Sequence, residues 1–468
     1  MKKSVKLDKI DVYILLVFTI VFGAAFFCFP PMYVNDTFQH ENQFVTREPV
    51  YALMIQGLKV IFPEEGGYYK PIVLIQNVLA IFANFYFVRF LKNTFKLNGI
   101  LTTMVIGIAL LPHIMTPMFS LKRLIITNAL MTEAVAMSAF LIWVVFLLKA
   151  MWEEAHKCRN SLIALGFVFL VTLIRGQMMT MFLVWAIVMG IMELRKALEE
   201  KRLFRKLFWK RVVCIAVCIV VAFTVRTYTC KIYNYLEKGV YANTASSGAM
   251  AVANVLYVAE REDGEGIQDE GVRNLFYDIY DALEADGYTY HYAPEGLIGR
   301  AEHHEDNHEI VNFDYFADKT KDYIRDTTGL YVEQYMQLMV EVDKIASVMM
   351  KGLLPKCLDR YFYNYIAIAT TGFIRSVAVV HPILNWYALA FYVITIAMSL
   401  YLWKKDKHSK AASFLLLSML MICGNVFGTS LFIQCISRYM FFTFPLVYSA
   451  ALVMLVELYR MKRKDGEK

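Results

Sequence analysis

Charged side chains are scarce in this sequence, and the cysteines lack the spacing of a metal site. Only 19% of the 468 residues are Asp, Glu, Lys or Arg, whereas 58% are hydrophobic. The eight cysteines form no CxxC pair and no Cys/His ligand pattern, so neither a disulfide framework nor a zinc module is indicated. For Cys230 and Cys357, two free thiols are expected rather than a bridge. Internal repeats are also missing, which argues against the paired halves of many transporters.

Long apolar runs occupy most of the chain instead. Runs of this length recur from end to end, and each can cross the hydrocarbon core of a bilayer, about 30 Å thick, as a helix. The sequence therefore predicts an all-α polytopic membrane protein whose first partner is the lipid bilayer. The net charge of +7 does not indicate a nucleic-acid partner, because the basic residues form short clusters between the runs.

These basic clusters predict the orientation in the cell membrane. They lie before the first run, at 193–211, at 404–410 and at 460–464, and basic residues accumulate on the cytoplasmic side of membrane helices. The map has both termini in the cytoplasm. It contains ten spans, at about 12–34, 71–91, 99–120, 128–149, 161–174, 178–192, 212–230, 382–403, 411–431 and 439–459.

One apolar run, 161–192, is broken by Arg175-Gly176-Gln177. Both ends of the run adjoin basic segments, so both ends are expected inside. The run must then go out and come back, which places Arg175 at an outer turn. A deep re-entrant pair of helices is the alternative.

This map divides the chain into three parts. Residues 1–230 form an N-terminal transmembrane module with a first external loop at 35–70, residues 231–381 form a mostly helical external cap, and residues 382–468 form the C-terminal membrane helices. Within the first loop, 48–62 is predicted to be an amphipathic interfacial helix, because its apolar residues recur at helical spacing. Within the cap, 274–280 is predicted to be helical, and 355–378 to form helices at the membrane surface.

Three carboxylates are candidates for catalysis. Asp36 follows the first span and an Asn, with an Arg nearby, and a carboxylate at the rim of the bilayer can act as a base on a lipid-borne substrate. Glu41 lies in the same loop. Glu133 follows Thr132 at the outer end of the fourth span, where an ionisable group would face a polar cavity rather than lipid. A polar turn outside a span and a helix-dipole charge are the structural alternatives.

Basic side chains at the outer rim are candidates for binding a phosphate. Arg438 opens the last span, and a guanidinium can clamp a phosphate with two hydrogen bonds. Interfacial anchoring is the alternative for each member of this set, which comprises Arg47, Lys122, Arg123, Arg175 and Arg438. The run His303-His304-Glu305-Asp306-Asn307-His308 has metal-ligand residue types, but its spacing fits no known metal motif, and a solvated acidic loop is expected.

Taken in order, these features resemble the GT-C superfamily of integral-membrane glycosyltransferases. The resemblance is carried by Asp36 after span 1, Glu48-Pro49-Val50-Tyr51, Thr132-Glu133, Ile174-Arg175-Gly176, and Arg438-Tyr439 with Pro445 in the last span. It covers 1–230 and 430–460 in order and topology. Many members have two adjacent acids in the first loop, whereas here Asn35 precedes the only acid, so the base is expected to be Asp36, with Glu41 in reserve.

The resemblance implies transfer of a sugar from a polyprenyl-phosphate donor to a glycan, lipid or protein acceptor on the external face, with inversion. It implies that Asp36 deprotonates or orients the acceptor hydroxyl. Arg438, with Arg175 and Arg47, would bind the donor phosphate. No metal ligand is assigned, and assistance by a divalent metal is left open.

Two other functions fit the same sequence. A transporter or lipid flippase would place charges or broken helices near the membrane midplane, whereas most charges here are expected at the outer rim. A polysaccharide polymerase or ligase of another fold would also use many spans, an external loop and outer arginines, but it would not need Asp36.

Overall fold

Helices make up almost all of the described chain. The structure is a computed structural model that describes residues 7–119, 123–200, 206–244, 247–330 and 334–466. Within these ranges the only extended pairing is a single β-bridge between Met32 and Ala129. The prediction of an all-α fold is confirmed. The lysines before Leu7 and part of the basic loop 193–211 lie outside the described residues.

The N-terminal part contains nine described helices, of which two are short and precede the second long helix. They are α1 (Lys9–Cys28), α2 (Asn35–Glu41), α3 (Pro49–Ile61), α4 (Tyr69–Phe95), α5 (Gly99–Phe119), α6 (Thr132–Trp152), α7 (Lys157–Thr172), α8 (Thr180–Glu199) and α9 (Lys206–Lys238). Helix α3 confirms the short apolar helix predicted at 48–62. Helix α9 continues past the predicted domain boundary at 230.

The cap and the C-terminal part are also helical where they are described. The cap contains α10 (Ser247–Leu256), α11 (Glu270–Ala285), α12 (Gly296–Ile310), α13 (Asp318–Thr328), α14 (Tyr335–Leu353) and α15 (Leu358–Arg375). The C-terminal part contains α16 (Pro382–Lys405), α17 (Lys410–Ser430), the one-turn helix α18 (Ser437–Met440) and α19 (Phe444–Gly466).

Each of the ten predicted spans coincides with a helix, and nine of these segments within the described residues are long and apolar enough to cross a membrane. The exception is α7, which has 16 residues and begins with the polar sequence Lys157–Asn160. The chain is therefore a multi-pass membrane protein. The predicted break at Arg175 is confirmed as a turn between α7 and α8.

Two predicted spans extend by four or more residues into loops. The first was placed over 12–34, but α1 ends at Cys28, because Pro30 and Pro31 cannot continue a helix and the chain becomes extended at Phe29. The fourth was placed from 128, but α6 begins at Thr132. In both cases residues next to a span belong to loops; 128–131 are buried by neighbouring helices, whereas Phe29 and Tyr33 are exposed.

Helix α6 lies at the centre of the membrane part. Its side chains are buried on every side, including the fully buried Trp143, and it packs against α4 and α7. By contrast, α9 and α16 expose long apolar faces, such as Val213, Val220 and Val221 of α9. In a bilayer these faces contact lipid, so burial within the protein is not needed to stabilise them.

A second apolar core holds the cap together. Helices α10, α11 and α14 pack around Phe276, Phe316 and Met349, all fully buried. The segment 355–378, predicted as surface helices, contains one helix, α15, which packs between α12 of the cap and α17 of the membrane part. The cap is thus joined to the membrane helices through α15.

The prediction of a solvated loop at His303–His308 is wrong. These residues belong to α12, and the spacing of four residues places His304 and His308 on its buried face, while Glu302 and Asp306 remain exposed. The amphipathic pattern was hidden because the buried positions are occupied by polar histidines. Nε2 of His304 forms a hydrogen bond of 2.9 Å with Oδ1 of Asn254.

The predicted orientation can be tested by labelling engineered cysteines. In a variant in which the exposed Cys28, Cys158 and Cys214 are replaced by serine, Glu262→Cys should react with an impermeant maleimide added from outside, since the cap is expected to be external. Glu199→Cys, at the end of α8, should react only after the membrane is opened, because the basic segment 193–211, predicted as a loop but helical at both ends, is expected inside. Both positions are exposed, so the opposite pattern would overturn the map.

Candidate active site at the junction of the first loop and α6

The segment after α1 is tied to the loop before α6. The backbone N–H of Met32 donates to the carbonyl of Asn128 (2.8 Å), and the N–H of Leu130 donates to the carbonyl of Met32 (3.0 Å). The Asn128 side chain donates to the carbonyls of Ala25 and Phe29, each at 2.9 Å, and so satisfies acceptors at the end of α1. These bonds fix the direction in which the chain leaves α1.

Helix α2 is attached to the same loop. The hydroxyl of Thr37, which is completely buried, donates to the carbonyl of Leu130 (2.7 Å) and accepts from the N–H of Val34 (3.0 Å). Asp36 precedes Thr37, and Glu133 follows Leu130 by three residues. A carboxylate of the first loop and a carboxylate of α6 are therefore brought to one corner of the protein.

Glu133 lies buried between two arginines. Its side chain is only 4% exposed, and Oε2 is 3.0 Å from Nη1 of Arg175. Its other oxygen is 3.9 Å from Nε of Arg438, and within the described residues neither of these two atoms has a hydrogen-bond partner. The hydroxyl of Thr132 accepts from Arg175 (3.0 Å). The pair of Glu133 and Arg438 is thus close but incomplete.

The two arginines are also held by an aromatic ring and by amides. The guanidinium carbons of Arg175 and Arg438 lie 5.0 Å and 5.1 Å from the centre of the Tyr439 ring. Gln177 accepts from Nε of Arg175 (3.0 Å) and donates to Oδ1 of Asn425 in α17 (3.0 Å). Such contacts fix the planes of the guanidinium groups.

Asp36 faces a third arginine. Its Oδ1 accepts from Nη2 of Arg47 at 2.6 Å, and both side chains are about one quarter exposed. Burial alone would raise the pKa of Asp36, but the charges of Arg47, Arg438 and Arg175 outweigh burial and lower the pKa below its ordinary value. Asp36 is therefore ionised at neutral pH and lies within the field of all three arginines.

Glu41 is held in a different set of contacts. Its carboxylate accepts from the hydroxyl of Tyr33 (2.8 Å) and pairs with Lys59 of α3 (2.7 Å). Burial tends to raise its pKa, but the hydrogen bonds from Lys59 and Tyr33 lower it overall. The structure thus brings Asp36, Glu133 and three arginines together and gives Glu41 other partners.

Two other basic residues were predicted at the outer rim. Arg123 is exposed, and Lys122 lies outside the described residues.

Two further charged groups, Glu48 and Arg226, adjoin this cluster. Oε1 of Glu48 is 3.5 Å from Nη2 of Arg226 on α9, and Arg226 is only 1% exposed. A Cβ atom on Gly176 would overlap Oε1 of Glu48, so the Arg175-Gly176 turn is in direct contact with this carboxylate. The sequence signal for Arg226 was a single charge within the apolar run 212–230, a position at which a charge is costly unless it is used.

His40 is a buried polar group of the polar stretch after the first span, for which no role of its own was predicted. It lies one helical turn after Asp36 and packs edge-on against the ring of Tyr51, with ring centres 5.1 Å apart. Within the described residues neither ring nitrogen has a hydrogen-bond partner. Burial, with a smaller effect of Arg47, lowers the pKa of His40 to about 3, so the ring is neutral at neutral pH.

The loop that precedes α18, the helix of Arg438, is attached to the cap. Arg375, at the end of α15, donates to the carbonyl of Cys435 (2.9 Å) and forms an ion pair with Glu305 of α12. Cys435 lies three residues before Arg438. The position of one candidate phosphate ligand is therefore coupled to the packing of α12 and α15.

The donor atoms at this site do not fit a divalent metal. Asp36 and Glu133 are both paired with arginines, and the described residues contain no group of three or more His, Cys, Asp or Glu side chains that could hold an ion.

Comparison of the chain with family models, with curated proteins and with solved structures finds no match.

Replacing Gly176 tests the packing of Glu48 against the turn. Gly176→Ala should push Glu48 away from Arg226 and leave two charged groups buried without a partner, at a cost of about 1–3 kcal/mol in the free energy of unfolding. Thermal unfolding of the purified protein in detergent measures the effect. Gly190→Ala in α8 is the matched control, since a Cβ there meets nothing within 4 Å. Equal stability of the two variants would contradict the packing described.

Proposed function

We propose that the protein is a membrane glycosyltransferase that moves a sugar from a polyprenyl-phosphate donor to a glycan, lipid or protein acceptor on the external face of the cell membrane. The observation that carries this proposal is the excess of positive charge in the cluster. Three arginines, Arg47, Arg175 and Arg438, face only two carboxylates, Asp36 and Glu133. One positive charge of the cluster is therefore not compensated by these carboxylates and can bind an anion.

A phosphate suits this excess better than a carboxylate does. Guanidinium groups bind phosphate oxygens through paired hydrogen bonds, and two of the three arginines are already held in fixed planes by Tyr439 and by their neighbours. The cluster also lies where membrane helices end, since α6 begins at Thr132 and α7 ends at Thr172. A lipid whose tail stays in the bilayer can present its phosphate at such a position.

Glu133 is best suited to positioning. It is almost completely buried, and its contacts are with the two arginines and Thr132 rather than with solvent. The incomplete contact with Arg438 leaves Nε of that arginine available. In this proposal, Glu133 fixes the distance between Arg175 and Arg438 so that both can bind one phosphate group. Nε of Arg438 then forms a hydrogen bond with the phosphate of the donor.

Asp36 is placed to act on the acceptor. It is partly exposed, whereas Glu133 is not. The acceptor oxygen attacks the anomeric carbon, the bond from that carbon to the phosphate oxygen breaks, and the acceptor proton passes to Asp36. Because the pKa of Asp36 is low, it is a weak base that orients the hydroxyl and accepts the proton late, as the new bond forms. The single displacement inverts the anomeric centre.

The leaving lipid phosphate gains negative charge as its bond breaks. The side chains of Arg175 and Arg438 are 12% and 25% exposed, and a fixed positive charge in such surroundings is screened less than in water. They stabilise the departing phosphate without any rearrangement of solvent. No step of the proposed reaction passes through a metal, because the donor atoms present do not fit one.

The base assignment predicts the behaviour of Asp36→Asn. The amide keeps the size of the side chain but cannot accept the proton, so turnover should fall about 10²- to 10⁴-fold while the donor still binds. Release of polyprenyl phosphate measures turnover, and thermal shift with the donor measures binding. Asp281→Asn in the cap is the control, since Asp281 also pairs with an arginine but is half exposed.

Two outcomes would change the assignment. Normal turnover by Asp36→Asn with loss in Glu41→Gln would move the base to Glu41. Normal turnover by Asp36→Asn, Glu41→Gln and Glu133→Gln alike would remove support for catalysis at this cluster and favour a transporter or a ligase of another fold.

The phosphate assignment predicts that Arg438→Lys is impaired. Lysine keeps the positive charge but cannot form two parallel hydrogen bonds or stack on Tyr439 in the same way, so both donor affinity and turnover should fall by about tenfold or more. Arg261→Lys is a matched control, because Arg261 also stacks on a tyrosine and pairs with an aspartate, but in the cap. Wild-type rates in Arg438→Lys and Arg438→Ala, at normal expression, would reduce Arg438 to an anchor.

A further inference from the structure

Arg226 is a buried cation whose hydrogen bonds are poorly satisfied. Its guanidinium is almost inaccessible, yet its two contacts are long, at 3.4 Å to Oδ1 of Asn243 and 3.5 Å to Oε1 of Glu48. Its Nε has no hydrogen-bond partner within the described residues. An arginine has five N–H donors, and this buried guanidinium therefore has donors that could bind a stronger acceptor.

Glu48 is a weak counter-ion for this arginine. Burial raises the pKa of Glu48 above its ordinary value, and the charges of Arg226, Arg47 and Arg175 offset only part of that effect. Unlike Asp36, whose contact with Arg47 is 2.6 Å, Glu48 makes no short hydrogen bond to its arginine.

The surroundings of Arg226 are polar on the same side of α9. Within the described residues, the hydroxyls of Thr227 and Tyr233 and Oδ1 of Asn234 are buried without a hydrogen-bond partner. The amide of Asn234 donates to the carbonyls of Ala242 and Asn243, the residue that also contacts Arg226. Asn243 thus links Asn234 to Arg226, and polar atoms without a partner adjoin both ends of this link, although buried polar groups in proteins are normally paired.

Arg226 adjoins the cluster proposed to bind the donor phosphate. The position that a Cβ would occupy on Gly176 is 3.8 Å from Nη2 of Arg226, and Gly176 directly follows Arg175. Glu48 likewise directly follows Arg47. Arg226 and the Arg47/Arg175/Arg438 cluster are therefore separated by Gly176 and the carboxyl group of Glu48, and Gly176 places no bulky side chain between them.

We propose that Arg226, with Asn243 and Glu48, forms a second anion subsite beside the Arg47/Arg175/Arg438 cluster, and that it binds the second phosphate of a polyprenyl diphosphate donor. This inference rests on the proposed function, because it assigns the class of lipid carried by the donor. One phosphate lies on the arginine cluster and the next on Arg226.

Binding of lipids without a sugar tests the subsite independently of catalysis. The full-length protein, purified in detergent, is titrated with undecaprenyl monophosphate and with undecaprenyl diphosphate, and the two dissociation constants are compared. A charge-assisted hydrogen bond to a second phosphate should make the diphosphate bind about 10- to 100-fold more tightly. Equal affinity for the two lipids in the wild-type protein would overturn the proposal.

Variants of the same helix locate the effect. Arg226→Gln should remove most of the preference for the diphosphate while leaving monophosphate affinity nearly unchanged. Arg211→Gln is the matched control on α9, because Arg211 pairs with Glu193 near the other end of the helix, and it should keep the preference. A full preference in Arg226→Gln would overturn the assignment of the subsite.

Two more variants keep the test decisive if Arg226→Gln does not fold. Arg226→Lys retains the charge but loses the planar group, and it should show a reduced preference. Glu48→Gln removes the competing carboxylate and should retain the preference. Loss of the preference in Glu48→Gln, or no change in Arg226→Lys, would contradict the roles given to these residues.

The alternative source of a second negative charge is the carboxylate of an acidic sugar. Glucuronate and glucose are therefore compared as soluble ligands in the presence of undecaprenyl monophosphate. Binding of glucuronate that depends on Arg226, together with equal affinity for the two lipids, would overturn the diphosphate assignment.

The subsite and the proposed reaction can fail separately. A protein that binds the diphosphate lipid more tightly but transfers no sugar would support the subsite and count against the proposed reaction.

Discussion

The burial of Glu133 between two arginines is the interaction on which the candidate site depends. A carboxylate removed from water is stable only if its charge is compensated, and here the compensation comes from the α7–α8 turn and from the segment before α19. The start of α6 is thereby joined to two parts of the chain that are 42 and more than 300 residues away in sequence. Removing the carboxylate would leave two guanidinium groups facing each other in a poorly solvated corner.

Several other contacts place a third arginine, Arg47, next to Glu133 and its two arginines. The β-bridge at Met32, the buried hydroxyl of Thr37 and the Asn128 amide fix α2 against the loop before α6. Arg47 then reaches Asp36, and Glu48 reaches the Gly176 turn. The first loop is consequently as much a part of the site as the membrane helices, although it contributes only short helices of its own.

The helices of this protein could be predicted from apolar run length, and ten runs do coincide with ten helices. What could not be predicted was where apolar residues belong to loops, as at 29–34 and 128–131, because loop burial depends on neighbours that the sequence does not reveal. The outer position predicted for Asp36, Glu133, Arg175 and Arg438 follows from helix ends, and the structure does bring these residues together. Their pairing could not be derived, and neither could the separate partners of Glu41.

Arg226 shows why part of the site was missed. A single arginine in an apolar run carries a signal, but its importance depends on what faces it, and its partners Glu48 and Asn243 lie 178 and 17 residues away. The histidines of α12 were missed for the opposite reason. Their polar character suggested solvent, whereas the structure buries them among helices of the cap and gives His304 an amide partner.

The length of α7 has a consequence for the membrane itself. Its 16 residues span about 24 Å, whereas a typical hydrocarbon core is about 30 Å thick. A helix that starts at one surface and is too short by roughly 6 Å must be accommodated by a locally thinner bilayer or by water entering from the other side. In a bilayer, hydrophobic mismatch at α7 would therefore be expected to bring headgroups or water closer to Arg175 than to the ends of the longer helices.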